Sequence, residues 1–284
     1  MGVLLKRSAA WKHAAVEGGE RPLPVRIHSD ASVVDGHNDV GTWILDFGFD
    51  LGMDGADRKK RAAELYWILG WLFRNASGDA LRTHTDLTRL RRGGVDAQFF
   101  SIFAHPRYAN APGGSIGRAH AMIGALEAQI GRHGSDLELA VRAEDVRRIA
   151  SEGRIAVLLG LEGGHAIEDD LENLRDFRKR GVRYMTLTWN NTHSWADSSN
   201  DEPRHGGLAR FGRQVVQEMN RLGMIVDVSH CSDETFWDVL EVTRAPIMAS
   251  HSSVRALVEN PRNLSDDMLR AIARNDGISV DRLG

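Results

Sequence analysis

A histidine and an aspartate stand two residues apart after the first apolar run of the chain. His37 and Asp39 follow Ser-Val-Val-Asp-Gly, and side chains two apart on a strand point to the same side. One imidazole and one carboxylate would then face a common point, where they could bind a metal ion. Asp-Gly-His-Asn is also good turn chemistry, so a solvated turn stays open for this pair alone.

A single acid ends a later apolar run. Glu162 follows Val-Leu-Leu-Gly-Leu and precedes two glycines. Burial of a carboxylate without a partner is costly, so the position favours a cation, a metal ion or several hydrogen-bond donors nearby. A carboxylate can also bridge two divalent ions.

Two further apolar runs each end in Ser-His. His230 closes Gly-Met-Ile-Val-Asp-Val-Ser-His, and His251 closes Ala-Pro-Ile-Met-Ala-Ser-His. One histidine at a strand end is usually a surface or core residue, but two in equivalent positions, combined with the three residues above, favour a metal site. The five candidate ligands are His37, Asp39, Glu162, His230 and His251.

These three imidazoles and two carboxylates suffice for two ions if Glu162 bridges them. His37 and Asp39 would join it on one ion, and His230 and His251 on the other. Nitrogen and oxygen ligands without thiolate suit zinc, with manganese or cobalt as alternatives. Such a pair of ions can bind water, lower its pKa and polarise a carbonyl, which is the chemistry that amide hydrolysis requires.

The elements that position these residues are predicted to alternate between strand and helix. Short apolar runs indicate strands, and segments of helical periodicity lie between them. No Gly-x-Gly-x-x-Gly follows the first strand, so an open nucleotide-binding sheet loses its usual support. Reactive residues at many strand ends favour an α/β fold of the (β/α)8 TIM-type barrel kind. Strands are predicted at 32–37, 94–103, 155–161, 182–188, 224–229, 246–250 and 277–280, and helices at 57–75, 116–131, 142–151, 170–180, 207–222, 232–243 and 264–275.

Composition fits one large domain. The 284 residues are 42% hydrophobic and 26% charged, which is typical of a globular protein. Residues 1–31 lack periodicity and are predicted to be an N-terminal extension to a barrel domain at 32–284. The net charge of -3 is interspersed, so no nucleic-acid partner is expected. No apolar run has the length of a membrane span and no export signal opens the chain, so a cytoplasmic location is expected.

The sequence resembles the membrane (renal) dipeptidase family of metallopeptidases from about Val33 to Ser279. The resemblance implies that the family's metal ligands fall on the five residues named above. It also implies that Arg262 holds the C-terminal carboxylate of a small dipeptide, a task that suits a guanidinium fork. The matching blocks are Asp35-Gly-His-Asn-Asp39, Gly160-Leu-Glu-Gly-Gly-His165, Tyr184-Met-Thr-Leu-Thr188 with Trp195-Ala-Asp197, Gly223-Met-Ile-Val-Asp-Val-Ser-His230 and Ala245-Pro-Ile-Met-Ala-Ser-His-Ser-Ser253.

Two departures from the family pattern bear on activity. Better-known members have a substrate-binding histidine just after Thr-Leu-Thr, where this chain has Trp189. His193 is the candidate replacement, with a loop histidine as the alternative. The family's final strand, Gly-Ser-Asp-Phe-Asp-Gly or similar, carries an aspartate that handles the catalytic proton, and it has no match. We therefore expect that aspartate to lie beyond the chain end, the barrel to be incomplete at its C-terminus, and activity to be weak or absent.

The leading hypothesis is a dipeptidase with two divalent metal ions, zinc in the first place. A binuclear hydrolase of another small amide, a lactone or a phosphoester stays open, because fold does not fix function. A non-catalytic remnant that binds metal, and a homodimer, also stay open.

Overall fold

The computed structural model describes His28, residues 30–53 and residues 84–280. The predicted helix at 57–75 and most of the predicted N-terminal extension lie outside the described residues. The strands are β1 Val33–Asp35, β2 Val95–Phe103, β3 Leu137–Leu139, β4 Ile155–Glu162, β5 Val182–Thr186, β6 Ile225–Asp227, β7 Met248–Ala249 and β8 Ile278–Ser279. The helices are α1 Val40–Phe47, α2 Leu87–Arg92, α3 Gly114–Arg132, α4 Ala143–Ser151, α5 Leu171–Lys179, α6 Arg210–Leu222, α7 Asp233–Val242 and α8 Asp266–Arg274, with 3-10 turns at Pro106–Asn110 and Gly164–Ile167.

The strands form one parallel sheet in the order β1-β2-β4-β5-β6-β7-β8, and β3 pairs with the first residues of β4. A Cβ on Gly36, just after β1, would lie 2.7 Å from the Ser250 carbonyl oxygen and 3.0 Å from a Val280 side-chain carbon. The two ends of the sheet therefore approach each other where the strands end. Within the described residues, however, no strand pairing joins β1 to β8.

Alternate residues of the central strands pack on opposite faces of the sheet. Phe100 and Leu159 belong to the larger apolar cluster, which includes buried residues of the helices. Phe99 and Leu158 belong to a smaller cluster with Tyr184. Burial on both faces explains why β4 reads as a nearly continuous apolar run and why β2 has apolar residues at successive positions near its end. It also leaves the ends of these strands as the places where polar side chains can gather.

All seven predicted strands are confirmed, together with the six predicted helices that fall on described residues. The sequence interpretation missed β3, because it is three residues long and only its Leu137 is buried. It also missed α1, because Val40 follows directly on a segment with turn chemistry, and the six-residue α2. None of the described helices has both the length and the apolar character to cross a bilayer.

Candidate metal centre

The five candidate ligands meet where the strands end. His37 Nε2 lies 3.1 Å from Asp39 Oδ1 and 3.5 Å from Glu162 Oε2. The Nε2 atoms of His230 and His251 lie 3.2 and 3.7 Å from Glu162 Oε1, and 2.9 Å from each other. One Glu162 oxygen thus faces the early pair and the other faces the later pair. The sequence analysis grouped the four other ligands around Glu162 in the same two pairs.

The spacing of these atoms fits metal coordination. Ligand atoms at the usual bond length from a tetrahedral zinc ion lie roughly 3.4 Å apart, and the distances above scatter around that value. One ligand atom each from His37, Glu162 and His251 lies within 4.8 Å of the others. Imidazole and carboxylate donors at this spacing suit a divalent ion such as zinc.

Glu162 is charged despite its burial. Its side chain is only 5% exposed. Burial opposes ionisation, but the charge of His37 and the close contacts with the imidazoles of His230 and His37 hold the pKa of the carboxyl well below its usual range. A carboxylate in this state can share its charge between two cations, one at each oxygen.

The protonation of His230 and His251 also suits a metal centre. Burial lowers the pKa of His230, and lowers that of His251 well below its usual value. Both imidazoles are therefore neutral near pH 7, which is the form that binds metal. Burial also acts to lower the pKa of His37, but Tyr184 and Glu162 beside it raise that pKa well above its usual value. A metal ion would have to displace the proton from His37.

Each of the three histidines uses its other ring nitrogen to contact a polar side chain. Such contacts fix the orientation of the ring and which nitrogen faces the metal. The pairs are His37 Nδ1 with the Tyr184 hydroxyl at 2.8 Å, His230 Nδ1 with Asn190 Oδ1 at 2.9 Å, and His251 Nδ1 with the Ser250 hydroxyl at 2.7 Å.

Asp227 anchors the contact behind His251. This fully buried carboxylate accepts hydrogen bonds from the hydroxyl groups of Thr186 at 2.5 Å and Ser250 at 2.6 Å, and from the Ser250 backbone N–H at 2.9 Å. Because Ser250 donates its proton to Asp227, its oxygen accepts the Nδ1–H of His251. The lone pair of His251 Nε2 then faces Glu162.

The backbone of His230 is left-handed, with φ of 66°. A non-glycine residue pays about 1 kcal/mol or more for this conformation, and such strained residues cluster at functional sites. The Ser199 N–H, 2.8 Å from the His230 carbonyl oxygen, holds it in place. The strained turn directs the imidazole to the strand ends instead of continuing β6.

The chain matches the model of the membrane dipeptidase family, peptidase family M19, over residues 24–280. The chain belongs to this family. It is 38% identical to Dipeptidase aclJ of Aspergillus oryzae over 280 residues, which cover 96% of this chain and 62% of that protein. It is 35% identical to Dipeptidase verJ of Clonostachys rogersoniana over 264 residues, which cover 89% of this chain and 63% of that protein. The chain thus spans less than two thirds of the length of either relative.

A solved structure of this type is the metallo peptidase from Rhodobacter sphaeroides liganded with a phosphinate mimic of the dipeptide L-Ala-D-Ala. It shares 25% identity with this chain at a TM-score of 0.68, over 88% of this chain and 73% of that one. Such matches confirm the predicted family and the TIM-type α/β barrel, whose ring of strands is not closed among the residues that the structure describes. Membership in a metallopeptidase family implies a divalent metal ion.

The residues predicted to bind substrate lie in different environments. Arg262 is half-buried beside the centre, and its Nη2 donates to the His251 carbonyl oxygen at 3.1 Å. His193 is buried, and its Nε2 donates to the Leu187 carbonyl oxygen at 2.8 Å while its ring packs on Trp195. This position lends no support to a substrate-binding role for His193, which stays a prediction.

The sequence interpretation did not single out Tyr184, Asn190, Ser250 or Asp227. Asp227 carries the same signal as Glu162, a charge inside an apolar run, and could have been found by it. Tyr184 and Asn190 have no comparable signal, because a tyrosine in a strand and an asparagine in a loop are ordinary.

Proposed function

We propose that this chain is a metallodipeptidase whose centre holds two divalent ions, zinc in the first place, bridged by Glu162. The observation that carries the proposal is a convergence of hydrogen-bond acceptors. His230 and His251 each donate Nδ1–H to an oxygen, so their Nε2 lone pairs face each other at 2.9 Å and both face Glu162 Oε1. Three acceptors so close together repel one another unless a cation lies between them.

The second oxygen of Glu162 supports the second ion. It faces His37, and Asp39 lies next to that imidazole. Metal ions bound in the two places would supply a water of lowered pKa and would polarise the carbonyl to be attacked. Glu162 would contribute one oxygen to each ion, because its two oxygens face the two pairs of candidate ligands.

Arg262 supplies the contact to the substrate. Its guanidinium is held against the His251 backbone, and its planar fork can bind a carboxylate through two parallel hydrogen bonds. A dipeptide held there by its terminal carboxylate would place its amide over the metal ligands. The names of the two fungal relatives and the dipeptide mimic bound to the Rhodobacter sphaeroides protein support this class of substrate.

The test is metal-dependent turnover by the full chain. Metal-free protein is loaded with zinc, manganese or cobalt, and release of free amino acids from Ala-Ala and related dipeptides is followed by chromatography. We expect turnover that is lost in Glu162→Gln and kept in Glu172→Gln, a matched change of an exposed glutamate on α5.

Other outcomes would contradict the proposal. Hydrolysis of a lactone or phosphoester without hydrolysis of dipeptides would favour a different binuclear hydrolase. Two bound ions without turnover of any of these substrates, even at high protein concentration, would favour a non-catalytic metal protein.

A further inference from the structure

Three aromatic rings cluster beside the ends of β2 and β5. Phe103 ends β2, His105 lies two residues later, and Trp189 follows β5. The ring centroids are 4.9 Å apart for Phe103 and Trp189, 5.2 Å for His105 and Trp189, and 6.2 Å for Phe103 and His105. All three side chains are partly exposed. These three residues are named the aromatic wall.

The aromatic wall adjoins the metal centre from two directions. Phe103 pairs with Glu162 in the register of β2 and β4, and paired residues of neighbouring parallel strands project to the same face. Trp189 directly precedes Asn190, whose side chain contacts His230. The wall therefore stands beside the bridging carboxylate, within reach of a molecule bound to the metal ligands.

The aromatic wall carries no charge near pH 7. Burial lowers the pKa of His105, and the positive charge of Arg107 lowers it further. The imidazole is therefore neutral and accepts a hydrogen bond from the Arg107 backbone N–H at 3.1 Å. Neutral rings tilted against one another offer faces and edges to an apolar or aromatic group.

Arg262 approaches the site from a different strand. It contacts the backbone after β7, whereas the wall belongs to β2 and β5, the two neighbours of β4. His251 stands beside the guanidinium, and Glu162 stands beside Phe103. A dipeptide with its carboxylate on Arg262 and its amide over the ligands would extend its first residue towards the aromatic wall.

We propose that the aromatic wall is the specificity-determining subsite for the first residue of the dipeptide, and that it selects aromatic or large apolar side chains. The inference rests on the proposed function, since it needs a dipeptide bound across the centre. Trp189 stands where the family resemblance places a substrate-binding histidine. At this position the chain thus offers an apolar ring face in place of a polar contact.

The test measures binding, so that it does not depend on turnover. Two phosphinate analogues of a dipeptide are compared by isothermal titration calorimetry on the metal-loaded full chain, one with a benzyl group and one with a methyl group at the first position. We expect the benzyl analogue to bind roughly 10-fold more tightly, because it adds ring contacts to Trp189 and Phe103.

Variants assign the preference to the wall. Trp189→Ala should bring the two dissociation constants within about twofold of each other, chiefly by weakening the benzyl analogue, while Trp189→Phe keeps most of the preference. Trp237→Ala, a change of an exposed tryptophan on α7, is the matched control and should leave the ratio unchanged.

The outcomes separate the two proposals. Equal binding of both analogues by the unchanged chain, or a preference that survives in Trp189→Ala, would overturn the aromatic wall as the subsite and leave the dipeptidase proposal intact. Failure of both analogues to bind the metal-loaded chain would overturn the dipeptidase proposal and the subsite with it.

Discussion

The two halves of the proposed metal centre are supported unequally. His251 is backed by Ser250 and the fully buried Asp227. In the other half, the Asp39 side chain is 67% exposed and follows β1, an edge strand whose Val34 is 48% exposed. Ligands already held in place lose less conformational entropy when a metal binds. We therefore expect the half with the two later histidines to bind its ion more tightly than the half with Asp39.

The largest expected effect comes from the residue that the two halves share. Glu162→Gln removes the bridging charge, so binding of both ions should weaken by more than about 100-fold, beyond the loss typical of a residue that only supports a ligand. Metal content after dialysis, measured by mass spectrometry, checks this. Retention of two ions per chain by the variant would show that the halves do not depend on Glu162.

A smaller effect should separate the two halves. Ser250→Ala removes the contact behind His251 and should weaken the tighter ion about 10- to 100-fold. Asp39→Asn should weaken only the other ion, because that side chain contacts His37 alone among the candidate ligands. Zinc titrations of each variant give the two constants, and Ser135→Ala, at an exposed hydroxyl, is the control. If Asp39→Asn instead weakened the tighter ion, the order of the halves would be reversed.

The smallest expected effect is on the pH dependence of stability, and it comes from the loop that carries Asn190, the residue that contacts His230. Burial lowers the pKa of His193, in the same loop, to about 4. The folded pKa lies below the unfolded value of about 6.5, so the unfolded chain binds the extra proton and stability falls as the pH drops from 7 towards 4. Between pH 7 and pH 5 this histidine accounts for a loss of about 2 kcal/mol.

His193→Gln tests that contribution. The free energy of unfolding, measured with denaturant, should fall between pH 7 and pH 5 by about 2 kcal/mol less in this variant than in the unchanged chain. His84→Gln, at an exposed histidine, should retain the full loss. An equal loss in His193→Gln and the unchanged chain would mean that His193 is not the group that titrates.

The candidate ligands could be predicted from the sequence, but the residues that support them could not. His230 and His251 could be placed together because the carboxyl ends of parallel strands meet on one side of a barrel. The contacts behind them could not, since Ser250 and Asn190 are common residue types whose partners are distant along the chain. The aromatic wall was equally hidden, because Phe103 and Trp189 become neighbours only through the pairing of β2, β4 and β5.

Short elements were harder to predict than the long central strands. β4 is buried along its whole length and forms a nearly continuous apolar run, and β2 is buried at all but its two end residues, whereas β3 has only three residues. Short helices such as α1 depend on packing against the sheet, and their sequences offer too few turns for a periodic pattern.

The most direct test of the proposed two-ion centre is a zinc titration of the metal-free full chain by calorimetry with a competing chelator. We expect two ions per chain that bind in two steps, the first at least about 10-fold more tightly than the second. In Asp39→Asn we expect one tightly bound ion. A single ion at saturation in the unchanged chain, or two steps of equal affinity, would contradict a centre built from two unequal halves around Glu162.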